Sequence, residues 1–275
     1  MTSDPADLRR RAWTAALAAG VFLRAERPAQ LAVESKTSVT DSVTAMDRGS
    51  EELLVARLLA AGPDDAVLGE EGGDRAGSSG VRWIIDPLDG TVNYLYRLPI
   101  WSVSVAAEVD GEVVAAVVVA PELDCGWHAV RGGGAWRVDR VSDADDHQGP
   151  SGERIAVGTQ TQCAQALIGT GFGYRAEDRR WQGRRVAGLI DRVRDIRRPG
   201  SAAIDMCWVA DGRTDGYFES GTHLWDRAAA GLIVAEAGGV TCGADGGPPT
   251  DNLTVAGNPA LAAALRELLS EFPMP

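Results

Sequence analysis

The sequence predicts a mixed fold, α+β in its first half and α/β in its second. Three observations predict it: helix-spaced apolar residues open the chain, two hairpin signatures sit in its middle, and strands alternate with helices towards its end. At 275 residues with 45% hydrophobic content, the chain is long enough to bury a substantial core, as one large domain or two tightly joined halves.

The first helix has its signals in order. Ser3 or Asp4 can cap it, Pro5 suits its first turn, and Leu8, Trp13, Leu17 and Val21 recur near helical spacing until Pro28 stops it. Arg9-Arg10-Arg11 before Ala- and Leu-rich sequence superficially suggests a signal peptide, but the capping signals predict a mature amphipathic helix. A second helix follows, with Thr40 or Asp41 as cap and Val43, Asp47, Leu54 and Leu58 near one side. On that largely apolar face Asp47 asks for a partner; a surface acid at the helix start is the alternative. Val67-Leu68-Gly69-Glu70-Glu71 then reads as a short strand ending in two acids, of which only one can face a site because adjacent strand residues point to opposite faces.

Trp83-Ile84-Ile85 is a buried strand running into Asp86-Pro87-Leu88-Asp89-Gly90-Thr91. Two carboxylates this close at the end of a buried strand repel each other and are costly to ionise unless a cation lies between them. The Leu88 carbonyl adds an oxygen donor, and an all-oxygen set suits Mg²⁺ rather than Zn²⁺. Gly90 permits close backbone approach, and the amides of Gly90 and Thr91 open a short helix whose N–H groups favour an anion such as phosphate. An isolated D-x-x-D would be read as a polar turn.

Ser102 to Val109 and Glu112 to Ala120 are strands joined by Asp110-Gly111, a two-residue hairpin signature. Trp127 to Val130 and Ala135 to Val138 flank Gly132-Gly133-Gly134 as a further hairpin, so the first half builds an antiparallel sheet. The polar run from Ser142 to Glu153 marks the boundary between halves, approximately 1–148 and 149–275. Beyond it, Arg154 to Gly158 and Gly169-Thr170-Gly171-Phe172-Gly173-Tyr174 fall short of a dinucleotide fingerprint, since Tyr174 replaces its final glycine. The nine arginines of 175–198 read as a solvated helix face with salt bridges, or as a phosphate- or partner-contacting patch. Gly200-Ser201-Ala202 caps a helix, Asp215 to Glu219 is a strand ending in an acid, and Leu224 to Gly239 is a helix with glycines at its exit. Asp226, in that helix's first turn, suits the dipole without further purpose.

The net charge of −12 argues against a general nucleic-acid binder and suits a site that gathers divalent cations. Cys125, Cys163, Cys207 and Cys242 lie far apart without C-x-x-C spacing and read as buried thiols of a reducing cytoplasm. No apolar run reaches the roughly 20 residues that span a bilayer. His128, His147 and His223 are scattered; His223, two residues before Trp225, is placed to approach the cleft, but reads more simply as a polar loop histidine.

Asp86-Pro87-Leu88-Asp89-Gly90-Thr91-Val92-Asn93 closely resembles the first signature of the inositol monophosphatase family, D-P-[IL]-D-G-T-x-N. Far downstream, the run from Trp225-Asp226 to Glu236-Ala237-Gly238-Gly239 resembles the second, and Lys36 to Asp47 resembles the family's K-x-S-x-x-D-x-V-T-x-x-D region. The resemblance covers nearly the whole chain, and is to bacterial inositol-1-monophosphatases within a Mg²⁺-dependent, lithium-sensitive phosphatase superfamily. It implies a single domain built as a layered α-β-α-β-α sandwich of the inositol monophosphatase and fructose-1,6-bisphosphatase type. By the same resemblance Glu70, Asp86, the Leu88 carbonyl, Asp89 and Asp226 bind two or three Mg²⁺ ions. Glu70 and Thr91 position the attacking water, Asp47 orients the Thr91 hydroxyl, and Lys36 lies at the edge of the metal site. Gly90 and Thr91 contact phosphate, while Gly200-Ser201-Ala202, Glu219 and Asp226 contact the substrate's hydroxyls. The implied protein is a cytoplasmic homodimer that hydrolyses a small phosphorylated polyol or sugar, with myo-inositol monophosphate favoured. Fructose 1,6-bisphosphate, histidinol phosphate, NADP(H) and 3′-phosphoadenosine nucleotides are alternatives, and a regulatory or RNA-associated protein on the same fold is an alternative of another class.

Overall fold

The computed structural model describes residues 4–27, 33–35, 42–143 and 150–273. Helix α1 (Pro5–Ala25) starts where expected, with the Asp4 carboxylate accepting the Ala6 amide and Pro5 in the first turn. Its buried face is built mainly from Leu8, Ala12, Trp13, Ala16, Ala19 and Leu23, and Val21 is 66% exposed instead of sharing it. Alanines let the helix axis lie close to the sheet, so small residues define the face and the larger Val21 turns out.

Strands β1 (Val33–Ser35) and β2 (Ser42–Thr44) form an antiparallel pair. Val43 therefore belongs to a strand, and α2 (Ala45–Ala61) begins later than expected. The short β-branched run Val43-Thr44 is better suited to extended pairing than to a helix start. Asp47, Leu54 and Leu58 are buried on α2 as expected. Lys36, Thr40 and Asp41 lie outside the described residues.

The chain continues through β3 (Ala66–Gly69), β4 (Gly73–Arg75), β5 (Val81–Asp89), the short helix α3 (Thr91–Leu95), β6 (Ser102–Val109), β7 (Glu112–Ala120), β8 (Cys125–Val130), β9 (Gly134–Asp139) and β10 (Glu153–Arg154). These strands make one sheet in the order β10-β9-β8-β7-β6-β5-β3-β4, antiparallel except where β3 meets β5. Asp110 and Gly111 both have positive φ, 54° and 79°, as the tight hairpin between β6 and β7 requires. Because β10 pairs with β9, the first sheet runs on to Arg154, and only the first residue of the 154–158 run is in a strand.

Then come β11 (Leu167–Thr170), α4 (Ala176–Leu189), β12 (Asp195–Arg197), α5 (Ala202–Ala210), β13 (Gly216–Glu219), α6 (Leu224–Glu236), β14 (Val240–Cys242), β15 (Thr254–Gly257) and α7 (Pro259–Ser270). The second sheet has the order β12-β11-β13-β15-β14, with β12, β11 and β13 parallel and β15 antiparallel to both its neighbours.

Period-two alternation sorts the first sheet's residues between two cores. Trp83 and Ile85 of β5, Val103 and Val105 of β6, and Val117 and Val119 of β7 pack beneath α1 and α2. Ile84, Ala106, Ala116 and Val118 face the other way, onto α5 and α6. A third core, with Phe218 and Val255 of the second sheet, packs under Leu189 of α4 and Leu261 and Leu265 of α7. The result is the five-layer α-β-α-β-α arrangement, with α5 and α6 sandwiched between the sheets. Cys125 and Cys207 are buried, Cys163 and Cys242 half-buried, and all four are free thiols. Among the described residues no helix is long and apolar enough to cross a membrane.

Candidate active site

The β5 strand does not stop at Asp86 but carries on to Asp89, with a register shift against β6. Asp86 pairs with Ser104 and Asp89 with Ser102, so three steps along β5 match two along β6. In a regular strand two residues three apart face opposite sides of the sheet. The extra residue of the bulge turns Asp89 back onto the same side as Asp86, towards the α5–α6 layer, while Leu88 goes into the opposite core. Both carboxylates are withdrawn from solvent, Asp86 to 1% exposure and Asp89 to 9%.

That layer supplies what meets them. Ser201 caps α5, and its hydroxyl donates to Asp89, which also accepts the amides of Ala202 at 3.2 Å and Ala203 at 2.9 Å. Asp226, in the first turn of α6, accepts the His223 amide, so it does cap its helix. Its place between the sheets also brings it to the same cavity as Glu70, from the tip of the β3–β4 hairpin. Gly90 holds φ +91 as it opens α3, and a Cβ there would meet the carbonyl oxygens of Ile100 and Gly200 at 3.0 and 3.1 Å. Asn93 Nδ2 donates to the carbonyls of Ile100 (2.6 Å) and Pro199 (2.8 Å), tying α3 to the approach to α5.

The resulting cavity, about 350 Å³, is lined by Glu70, Asp86, Leu88, Asp89, Gly90 and Thr91 from the first half of the chain and by Gly200, Ala202, Glu219 and Asp226 from the second. Two expected site residues stand behind its wall. Ser201 is 1% exposed and its hydroxyl is engaged with Asp89 and the Ile204 amide, so it braces a carboxylate where contact with a substrate hydroxyl was expected. Asp47 is buried on α2 behind Asp86. The Thr91 hydroxyl donates to the Leu88 carbonyl at 3.1 Å.

The rest of the wall was not assigned to the site from the sequence, His223 apart. The loop after β11 contributes Gly171, Phe172, Gly173 and Tyr174, the loop after β13 contributes Ser220 to His223, and Arg198 and Trp225 complete it. The glycines set aside as a poor dinucleotide fingerprint make room: a Cβ on Gly171 would collide with the Glu219 carboxylate. His223 lines the cavity, stacks on Trp225 at 4.9 Å and bonds Asp251 at 2.9 Å, so of its two readings the approach to the cleft is the one the structure shows. Arg198, counted among the solvated arginines, is the one guanidinium on the wall among the described residues and lies 5.9 Å from the Phe172 ring.

Electrostatically the cavity is under strain from like charge. Burial and the neighbouring Glu70, Asp89, Asp226 and Asp47 push the Asp86 carboxyl well above its ordinary value. Burial, then Asp89 and Glu70, do the same to Asp226, although the His223 amide opposes them. Asp89 rises to about 6 through burial, held down by Ser201 and the Ala203 and Ala202 amides. Burial lifts Glu219 to about 7 despite the Tyr217 hydroxyl bond and nearby Arg198. Among the described residues no three acidic, His or Cys side chains already close on one point as a cage; the carboxylates ring the cavity. Buried, mutually repelling, all-oxygen donors of this kind fit a hard divalent cation, which removes the repulsion and completes the coordination.

Comparison with known proteins agrees with this geometry. The model of the inositol monophosphatase family matches residues 4–272. An inositol-1-monophosphatase of Mycobacterium bovis is 40% identical over 252 residues, covering 86% of this chain and 83% of its own. A protein named Nus factor SuhB from Pasteurella multocida is 40% identical over 212 residues, covering 76% and 74%. The crystal structure of the extragenic suppressor protein suhB from Bartonella henselae superposes with a TM-score of 0.86 at 32% identity, covering 96% of this chain and 99% of that one. With a family match over nearly its full length, the five-layer fold and an acid-ringed cavity between its sheets, the chain belongs to the inositol monophosphatase family of phosphoric monoester hydrolases.

Proposed function

We propose that this chain hydrolyses an inositol monophosphate to inositol and inorganic phosphate, as one catalytic domain whose two sheets flank the site. The observation that carries the reading is the bulge that puts Asp86 and Asp89 on one face, where Glu70 and Asp226 join them around a single cavity. Glu70, Asp86, the Leu88 carbonyl, Asp89 and Asp226 would hold Mg²⁺, two or three ions. When bound, Mg²⁺ supplies charge neutralisation at the phosphoryl group and leaving oxygen and makes water a stronger acid.

The chain's own residues then divide the work. Glu70 accepts a hydrogen bond from the attacking water and, with the Thr91 hydroxyl, holds it in line with the ester bond. Asp47, behind Asp86, supports that arrangement. The amides of Gly90 and Thr91 donate to phosphoryl oxygens, in a pocket that Gly90 keeps open. Glu219 and the Gly200-Ala202 turn bond the hydroxyls of the alcohol, and Asp226 lies on the leaving-oxygen side. Glu219, raised to about 7 by burial, is able to donate as well as accept near neutral pH. Lithium sensitivity, a homodimer and a cytoplasmic location belong to the same proposal and rest on the resemblance.

Phosphate release from myo-inositol 1-phosphate, fructose 1,6-bisphosphate, histidinol phosphate, NADP⁺ and 3′-phosphoadenosine 5′-phosphate, with and without Mg²⁺, tests the substrate. The expected result is Mg²⁺-dependent release with the inositol ester preferred; preference for another ester would move the assignment to that alcohol. A second reading is favoured by the relative named Nus factor SuhB together with exposed Arg179, Arg180 and Arg184 on α4. Those arginines would give salt-sensitive RNA binding in the same preparation, and its absence at low salt would remove that reading.

A further inference from the structure

Helix α4 was expected to be a solvated, arginine-covered face. Several of its neighbours behave so: Arg175 pairs with Glu177, Arg192 with Glu271 and Arg197 with Asp195 at the surface. Gln182 and Arg185 do not. They are only 6% and 5% exposed. Neither lines the cavity, yet both bond residues of its wall.

Gln182 Oε1 accepts the Gly173 amide at 3.0 Å, and its Nε2 donates to the Ser220 carbonyl at 3.1 Å. Arg185 Nη1 donates to the Ser220 hydroxyl at 3.0 Å, while its Nε and Nη2 both donate to the Phe272 carbonyl, at 3.0 and 2.9 Å. The guanidinium lies 4.7 Å from the Trp181 ring. Gly173 and Ser220 are wall residues, on loops that follow two neighbouring parallel strands, β11 and β13. One glutamine thus spans the two loops that face the substrate, and one arginine locks the second of them to the C-terminal segment after α7.

Buried polar side chains are hydrogen-bonded, and their fixed geometry then defines the position of what they bond. The loops they fix carry Phe172, Tyr174, Thr222 and His223, which line the cavity and come from other elements than the β3–β5 segment that carries Glu70, Asp86 and Asp89. We infer that Gln182 and Arg185 are positioning residues that set the width of the cavity on its alcohol side, and so decide which alcohol the enzyme accepts. This rests on the phosphomonoesterase reading above and adds the residues that give it selectivity.

The test is steady-state kinetics of Gln182→Leu and Arg185→Met, which keep side-chain bulk and remove the hydrogen bonds. Two esters are compared: myo-inositol 1-phosphate, which fills the alcohol side, and glycerol 2-phosphate, which leaves much of it empty. For the inositol ester KM should rise about tenfold, a fraction of the hundredfold that a misplacement of about 1 Å can cause. For glycerol 2-phosphate KM, and for both esters kcat and the Mg²⁺ activation midpoint, should stay within about twofold, because neither side chain bonds Asp86, Asp89, Asp226 or the groups that hold them. An unmoved KM for the inositol ester, or an equal loss on both esters, would overturn the inference. Should either apolar variant fail to fold, Gln182→Asn and Arg185→Lys keep the polarity but not the reach, and the same KM split is expected of them. Wild-type protein that releases phosphate from neither ester would instead remove the underlying functional reading.

Discussion

Asp89→Asn is expected to lower Mg²⁺-dependent phosphate release by at least about a hundredfold, since changes one shell further from a metal already cost 10- to 100-fold. Asp89 is the point where the two sheets meet chemically. It comes from β5 and accepts Ser201, Ala202 and Ala203 at the start of α5. An amide removes one unit of ligand charge and turns an NH₂ towards donors that want an acceptor. Folding should survive. Burial raises the Asp89 carboxyl from 3.8 to about 6, so in the metal-free protein its contribution to stability is present at acid pH and is lost as pH rises from the ordinary carboxylate range through about 6. A neutral asparagine lacks that loss. A thermal melt at neutral pH should therefore place the metal-free variant near the wild type. Near-normal turnover at limiting Mg²⁺ would remove Asp89 from the metal site.

The largest loss of stability is expected at Asp65, away from the cavity. Asp65 precedes β3, and its carboxylate accepts Arg11 of α1 at 2.7 Å, the Trp83 indole N–H of β5 at 3.0 Å and the Ser79 hydroxyl at 2.6 Å. Arg11 is only 13% exposed in its side chain, lies 5.0 Å from the Trp83 ring and also donates to the Leu58 carbonyl of α2. One carboxylate thus ties α1, α2 and β5 together. Asp65→Ala strands a largely buried guanidinium and a buried indole N–H, a change worth about 3–5 kcal/mol. Urea unfolding should show that loss with little change in the slope of the transition. A loss below about 1 kcal/mol, the size of an exposed pair, would mean that water reaches the network.

What the sequence made legible follows from how local each signal is. Asp110-Gly111 fixes its hairpin through φ alone, and the capping signals at Asp4 and Ser201 act within a few residues, so the elements they bound fall where expected. The acids of the cavity were legible because Asp86, Asp89 and Asp226 sit in extended motifs. Their geometry was not: the bulge between Asp86 and Asp89 is a relation to β6, and nothing within β5 itself reports the register of its partner. Helix faces failed where size misled, as at Val21, because alanines pack the sheet. Most of the alcohol side escaped notice for the same reason as Gln182 and Arg185. Those residues acquire meaning only when β11, β13 and the C-terminal segment converge, and such convergence leaves no periodic trace in the chain.

The central claim is that the crowded carboxylates exist to hold a divalent cation, and titration calorimetry of Mg²⁺ into the metal-free protein tests it most directly. Burial and mutual repulsion raise Asp86, Asp89 and Asp226 towards their protonated forms, so a cation competes with protons for these carboxylates. The account predicts binding accompanied by proton release, tightening as pH rises from about 5 to about 7 through the Asp89 value, and much weaker in Asp89→Asn. Absence of binding at neutral pH, or binding equally tight in the variant and indifferent to pH, would contradict it.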